Sequence, residues 1–273
     1  MKKNQSQKKS GKNGLLLVIE IICAMIFFYA AFQLYLIFQD YHIAAEEYEI
    51  LSEQAVSVIE SQEQDEKQED PKEESILDQP YDYEVPSYEV NLKSLKEQNE
   101  DTVGWIILPD SKISYPIVKS RDNEEYLTKT FEGQTANSGA IFMDVNCQGD
   151  FTSQNTIIYG HNMKNGSMFR ALNNLTDKEY FWRHHIFCID TGNGFKNYEI
   201  ISCYETDTTD LSSWQIGFES SAAYEQWLKN IVKRCNYNCA DYDVTKNTIT
   251  LSTCRGKSGG PGRFIVHLQE KNQ

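Results

Sequence analysis

Seven cysteines are spread through the chain, and one of them, Cys254, stands where a thiol could act as a nucleophile. It closes the run Thr248-Ile249-Thr250-Leu251-Ser252-Thr253-Cys254, which alternates apolar and polar residues with the period of a half-buried strand. Arg263 opens a second alternating run, Arg263-Phe264-Ile265-Val266-His267-Leu268. Between the two lies the Gly/Pro-rich stretch Arg255–Gly262, which has no periodicity of its own. A thiol ending one strand and a guanidinium starting the next would meet at one rim of a sheet. A thiol attacks only as thiolate, so it needs a base or a positive neighbour. Among the five histidines, His42 lies near the apolar N-terminal region, His184 and His185 open a strand after an aromatic helix, and His267 is inside the final strand. His161 differs, because it follows Thr156-Ile157-Ile158-Tyr159-Gly160 and stands where a strand leaves the sheet. Taken together, the three fit acyl transfer. Cys254 attacks a carbonyl, His161 handles the proton of the leaving amine, and Arg263 donates to the oxyanion or positions the substrate backbone. An arginine suits that place because its charge does not titrate and its fork is rigid. Taken singly, a polar turn histidine and a surface ion pair are the plainer readings of His161 and Arg263.

These residues must be positioned by strands. Runs with strand character are Gly104–Leu108, Ser114–Val118, Gly139–Met143, Thr156–Gly160, His185–Asp190, Tyr198–Tyr204, Thr248–Thr253 and Arg263–Leu268. Eight short strands separated by turn residues predict a mostly β chain closed, or nearly closed, into a barrel rather than a parallel α/β sheet. One helix interrupts them, between the sixth and seventh strands. Tyr224, Trp227, Leu228, Ile231, Val232 and Cys235 recur at helical spacing, with Ser220 or Ser221 as cap. A shorter helix is capped by Asn91 and runs through Glu100, with Leu92 and Leu95 facing the core.

Ahead of the barrel the chain changes character. Residues 1–14 hold five lysines and no acid, and Leu15–Phe38 contains Glu20 as its only charge. At 1.5 Å per residue that run spans roughly 36 Å, enough for a hydrocarbon core of about 30 Å. It is longer than a signal-peptide apolar region and is followed by bulky residues, so a retained single span is expected. Lysines before the span and none after it until Lys67 put the N-terminus in the cytoplasm and the rest outside. Tyr41, Ala44, Tyr48, Leu51, Ala55 and Val58 form a stripe that could continue the span as a helical stalk or as a helix lying near the membrane. Residues 60–84 read as a solvated acidic linker. The expected order is a cytoplasmic basic tail at 1–14, a transmembrane anchor at 15–38, a helical stalk and acidic linker at 39–84, and a catalytic domain at 85–273.

Of the 273 residues 40% are apolar, ordinary for a packed domain, and the formal net charge is −14. Most of that excess falls in residues 46–84, where 15 acids face only Lys67 and Lys72. The remainder is nearly balanced, with no basic face for nucleic acid. No Cys-x-x-Cys pair exists, so a structural zinc site is not expected. Cys235 and Cys239, four apart, would share one face if they stood on a helix.

The order Tyr159-Gly160-His161-Asn162, then Thr250-Leu251-Ser252-Thr253-Cys254, then Arg263 closely resembles the sortases, the membrane-anchored cysteine transpeptidases of Gram-positive bacteria. The resemblance covers roughly residues 85–273. Thr-Leu-Ser-Thr-Cys, the helix between strands six and seven, Asp122-Asn123-Glu124-Glu125-Tyr126-Leu127 and Gly139-Ala140-Ile141-Phe142-Met143-Asp144 resemble class B in particular. The resemblance implies a sortase-like eight-stranded β-barrel and a thiol enzyme working without metal or other cofactor. It implies cleavage of a C-terminal sorting signal after its threonine, a thioacyl adduct on Cys254 and transfer of the protein to a cell-wall amine. The partners implied are surface proteins bearing an Asn-Pro-x-Thr-x-like or x-Pro-x-Thr-Gly-like signal and a peptidoglycan precursor or cross-bridge amine. Matching positions imply that Asn123, Leu127, Tyr159 and Ser252 line the signal-binding groove. The plainer readings of those four are a helix-cap asparagine, a core leucine, a core tyrosine and a strand serine. The glycine-rich, basic loop Arg255–Gly262 departs from the family pattern.

Other readings compete. Gly256-Lys257-Ser258-Gly259-Gly260-Pro261 resembles the nucleophile loop of chymotrypsin-like proteases, but the residue before the serine is Lys257 where an aspartate is needed. A P-loop would need glycine where Leu251 stands. A papain-like peptidase normally places its cysteine before its histidine, the reverse of this order. A hydrolytic cysteine peptidase with the same three residues, or a tethered binding module that keeps the barrel without the chemistry, remain the alternatives.

Overall fold

The structure, a computed structural model, describes residues 6–59, 85–237, 239–256 and 259–271. The acidic linker at 60–84, expected to be solvated, and the loop residues Lys257 and Ser258 lie outside the described residues, as does the tail at 1–5. Two compact units are present, Met1–Ile43 and Ala44–Gln273.

The first unit is the greater part of α1 (Ser6–Ala55). Its apolar stretch has a mean hydropathy of 2.2, and by length and composition it could cross a membrane.

The second unit begins with the last turns of α1 and continues through β1 (Val56–Ile59), β2 (Ser87–Val90), α2 (Leu92–Gln98), β3 (Thr102–Ile107), β4 (Ser114–Val118), β5 (Ile141–Met143), β6 (Asn155–Tyr159), α3 (Lys178–Arg183), β7 (Ile186–Asp190), β8 (Phe195–Asp207), α4 (Ser221–Val232), β9 (Thr248–Cys254) and β10 (Gly262–Glu270). The last eight strands close into a barrel in the order β10-β8-β7-β3-β4-β5-β6-β9. This is the mostly β, eight-stranded barrel expected from the alternating runs. Its strands carry fully buried residues that stand in register, Ile117 with Ile141 across β4 and β5 and Ile158 with Leu251 across β6 and β9. Two pairs are parallel, β4 with β5 and β6 with β9. The second of these matters for the site.

Helix α4 lies where the spacing placed it, and Ser220 is the cap, its hydroxyl accepting from Ala223 N at 3.2 Å. Tyr224, Trp227, Leu228 and Ile231 pack on Ile201, Tyr204 and Ile265 of β8 and β10. Burying each large side chain contributes roughly 1.5–3 kcal/mol, so this face holds the helix on the barrel. Asn91 caps α2 by accepting from Ser94 N at 3.0 Å, and Leu95 is buried.

Two local expectations differ from what the fold shows. The helical stripe at 41–58 is not a free stalk over its middle part: Ala44, Tyr48 and Leu51 are buried. The Tyr48 hydroxyl donates to Gly139 O at 2.8 Å and accepts from Phe131 N at 3.2 Å, and its ring meets Tyr115 edge-on. The helix ends at Ala55, and Val58 belongs to β1, which pairs with β2. The stripe therefore satisfies a barrel surface rather than a second helix. Cys235 and Cys239 do not share a helical face, because α4 ends at Val232. His267 stands inside β10 as expected, fully buried and bonded on both nitrogens, to Tyr204 Oη and to Thr250 Oγ1, each at 2.8 Å.

Candidate active site

Strand register brings the thiol, the imidazole and the guanidinium to one rim. In the antiparallel pair β9/β10, Cys254 stands directly opposite Arg263. On the other side of β9, the parallel strand β6 pairs Tyr159 with Ser252. Two further residues along each strand reach His161 and Cys254, so the ends of three adjacent strands present the three groups side by side. The exit of β6 is held by backbone and side chain: Gly160 N donates to Ser252 O at 3.2 Å, and Asn162 Nδ2 donates to Cys254 O at 2.8 Å. Gly160 is required there, since a Cβ would lie 2.5 Å from Ile141 Cδ1 and 2.6 Å from Phe169 Cδ2.

A groove of about 240 Å³ opens over this rim. His161, Cys254 and Arg263 line it, and so do Asn123, Leu127, Tyr159 and Ser252. All seven residues singled out from the sequence are thus brought to one concavity, with Phe142 supplying an apolar wall.

The polar wiring is more specific than the sequence indicated. His161 Nε2 lies 2.8 Å from Leu127 O. A carbonyl only accepts, so Nε2 carries a hydrogen and the ring is oriented by the main chain of Leu127. The Leu127 side chain is 39% exposed, which excludes the reading as a core leucine. Arg263 Nη1 donates to Gly260 O and Gly262 O, both at 2.9 Å, so the guanidinium also steadies the glycine-rich loop. Arg255, next to the thiol, is drawn off by Glu205 at 2.7 Å and Asn173 Oδ1 at 3.0 Å.

Asp144 was not singled out from the sequence, yet it joins two residues of the groove. Its Oδ2 accepts from Asn123 Nδ2 and from Tyr159 Oη, both at 2.9 Å, while Oδ1 accepts from Asn146 N at 2.8 Å. One buried carboxylate therefore fixes two groove residues from segments far apart in the chain. Burial, and then the Asp144 charge, push the Tyr159 phenol up from its ordinary range, so it remains a neutral donor. Asn123 is not a helix cap: Asp122 takes that part, accepting from Glu124 N and Glu125 N, while Asn123 Oδ1 accepts from Val145 N at 2.8 Å. Ser252 is buried, and its hydroxyl accepts from Trp214 Nε1 at 3.2 Å, so Trp214 of the β8–α4 connection braces a residue that lines the groove. The available signal for Asp144 was its place at the end of Gly139-Ala140-Ile141-Phe142-Met143-Asp144. Nothing local marked Trp214. Among the described residues no group of three or more His, Cys, Asp or Glu is placed to hold a metal ion.

A closed mixed barrel with a thiol on the rim beside an imidazole and a guanidinium is the build of a cysteine-dependent acyl-transfer enzyme. Comparison with known proteins makes the assignment definite. Residues 106–271 match the Sortase domain family. Sortase B of Listeria monocytogenes is 36% identical over 177 residues, covering 64% of this chain and 72% of the relative. The structure of sortase B from B. anthracis in complex with AAEK1 superposes with a TM-score of 0.68 at 28% identity, over 87% of this chain and 100% of that one. A Staphylococcus aureus sortase B–substrate complex gives a TM-score of 0.62 at 29% identity, over 66% and 84%. The chain belongs to the sortase family, in its class B, and is a cysteine transpeptidase of the kind that anchors surface proteins.

Proposed function

We propose that Cys254, His161 and Arg263 carry the transpeptidation and that Asn123, Leu127, Tyr159 and Ser252 hold the sorting signal. The observation that carries this reading is the register of β6, β9 and β10, which sets the three groups abreast at the open end of the groove. The Cys254 sulfur attacks the carbonyl carbon of the signal's threonine, and the developing oxyanion meets the Arg263 fork. His161 delivers a proton to the departing amine, leaving a thioester on Cys254. An incoming cell-wall amine, a peptidoglycan precursor or cross-bridge, then attacks that thioester, gives up a proton and releases the thiol. The signal is of the Asn-Pro-x-Thr-x or x-Pro-x-Thr-Gly kind, and the apolar wall formed by Leu127 and Phe142 suits a short extended peptide.

The remaining parts of the proposal concern placement. Residues 15–38 anchor the enzyme by a single span, the lysine-bearing tail 1–14 stays in the cytoplasm, and the segment 39–84 connects to a catalytic domain at 85–273 outside the membrane. The apolar length of α1 supports the span, and protease treatment of intact cells tests the orientation: the barrel should be digested and the tail protected.

The chemistry is tested with the full chain in detergent, wild type and Cys254→Ala, incubated with a panel of peptides carrying the two kinds of signal. Mass spectrometry should find cleavage after the threonine and an acyl adduct on Cys254, both absent from the variant. Adding an amine should divert the acyl group from water to the amine. Cleavage that persists in Cys254→Ala would falsify the assignment of the nucleophile.

A further inference from the structure

Three cysteines unused by the transpeptidation meet at the far end of α4. Cys203 lies on β8, Cys235 follows α4, and Cys239 begins the run towards β9. Cys235 Sγ is 2.6 Å from Cys239 Sγ and 3.9 Å from Cys203 Sγ. At 2.6 Å the two free thiols are close enough that a disulfide of about 2.05 Å needs only a small further approach. The residues on either side of Cys235 are held in place. Tyr237, between the two cysteines, stacks on Phe181 with ring centroids 4.6 Å apart and donates its hydroxyl to Thr176 O. Arg234, just before Cys235, donates to Asp210 Oδ2 at 2.5 Å and to Thr206 Oγ1 at 3.1 Å.

This cluster is distinct from the nucleophile. Cys203 pairs with Val266 of β10, whereas Cys254 pairs with Arg263, so the two are separated by two strand spacings and three residues. That is about 14 Å, twice the longest Cα separation of about 7 Å that a disulfide bridges. Cys235 and Cys239 are half-buried, and a cavity of about 310 Å³ lined by Cys203, Arg234 and Tyr237 opens beside them. A small reagent therefore has a path in.

We propose that Cys235 and Cys239 form a reversible dithiol–disulfide site that reacts with low-molecular-weight disulfides. Hydrogen bonding from Cys203 and Cys239 holds the Cys235 thiol below its ordinary range, whereas the bond to Cys235 raises Cys203, so Cys235 is the attacking thiolate. Cys235 Sγ attacks one sulfur of the external disulfide, forming a mixed disulfide and expelling one thiolate. Cys239 loses its proton to solvent and attacks Cys235 Sγ, closing the internal disulfide and expelling the second thiolate. The protein dithiol is oxidised by two electrons, and the external disulfide is reduced to two thiols. The bond locks the turn whose Arg234 holds Asp210, at the base of the connection that carries Trp214 to Ser252. None of this depends on the transpeptidase roles given to Cys254, His161 and Arg263.

The test uses the full chain in detergent, incubated with oxidised glutathione, alkylated and digested with trypsin. Cleavage after Arg234 and Lys246 releases a peptide that contains both cysteines. That peptide should lack two hydrogens, resist alkylation at both positions and regain both thiols with dithiothreitol. Oxidation should also raise the midpoint of thermal unfolding by about 4–8 °C, as closing a short loop does in a domain of this size. Cys239→Ser should lose both effects. Alkylation of both cysteines after the oxidant, a cross-link to the peptide bearing Cys203, or a lasting glutathione adduct on Cys235 would overturn the proposal. The mapping needs wild-type protein alone, so it stands even where the variant folds poorly, and peptide cleavage by Cys254 reports separately on the transpeptidase reading.

Discussion

Asp144 shapes the groove through a single oxygen, and the consequence is measurable. In Asp144→Asn the site that now accepts from both Asn123 and Tyr159 loses its charge and part of its accepting capacity. Hydrogen bonds to a charged group contribute about 1.5–3 kcal/mol, so the two walls should loosen together. Steady-state kinetics with a sorting peptide should show KM rising by about tenfold or more while kcat changes less; an unchanged KM would place Asp144 outside substrate binding. Arg263 invites a sharper substitution. Lysine keeps the charge but lacks the fork that faces both the loop carbonyls and the proposed oxyanion. Arg263→Lys should reduce kcat by roughly 10²-fold, the scale set by loss of an oxyanion donor. His267 bears on stability rather than catalysis. Burial, with the Arg234 charge adding to it, lowers its pKa from 6.5 to about 3. The unfolded chain therefore takes up a proton below pH 6.5 that the folded chain refuses, and stability falls as pH drops from 6.5 towards 3. The slope is at most about 1.4 kcal/mol per pH unit. Melting curves between pH 6.5 and about 5, above most carboxylate titration, should show a shallower loss in His267→Gln than in the wild type.

At the scale of elements, catalysis rests on where β6 ends. Gly160 sits against Ile141 and the buried ring of Phe169, and any side chain there must push the exit of the strand outward. Gly160→Ala should cost about 1–3 kcal/mol by overpacking and displace His161 from Leu127 O. Activity should then fall further than the loss of stability accounts for at a temperature where the variant is still folded; full activity in a destabilised variant would show that His161 is placed by other contacts. The connection between β8 and β9 is the second element with influence on the groove. Arg234 bonds Asp210, and Asp210 gathers Thr206, Ser212 and Ser213 around it. Burial pushes the Asp210 carboxyl up, but the hydrogen bonds from Ser212, Ser213, Arg234 and Thr206 outweigh it and hold the carboxyl well below the usual range. That anchored turn carries Trp214 to Ser252.

For the molecule as a whole, the C-terminal turns of α1 are part of the barrel domain's packing. A soluble chain starting at residue 85 lacks Ala44, Tyr48 and Leu51 and uncovers Tyr115 and the carbonyl of Gly139. Burial of the two larger side chains contributes roughly 1.5–3 kcal/mol each before the entropy of ordering the segment is subtracted. A chain starting at residue 44 should therefore melt several degrees above one starting at 85. Equal melting temperatures would mean that the ordering entropy offsets the contact.

The sequence by itself indicated the eight strands, a closed or nearly closed barrel and α4 with Ser220 or Ser221 as its cap, and the resemblance to one family pointed to the seven residues that line the groove. The reason is that each of these rests on a local signal. Period-two alternation, helical spacing and a cap residue are all read within a few positions, and the order of the His, Cys and Arg segments resembles one family closely. What the tertiary structure alone decided were pairings between distant segments. The helical stripe at 44–55 looks the same in sequence whether it faces a second helix, a membrane surface or a barrel, and only the Tyr115 ring and Gly139 carbonyl that Tyr48 covers settle which. Asp144 joins Asn123 to Tyr159, Leu127 lends His161 a carbonyl, Trp214 reaches Ser252, and Cys203 joins Cys235 and Cys239. Each is a contact across many residues of chain, made by side-chain reach and strand register, and no local pattern encodes it.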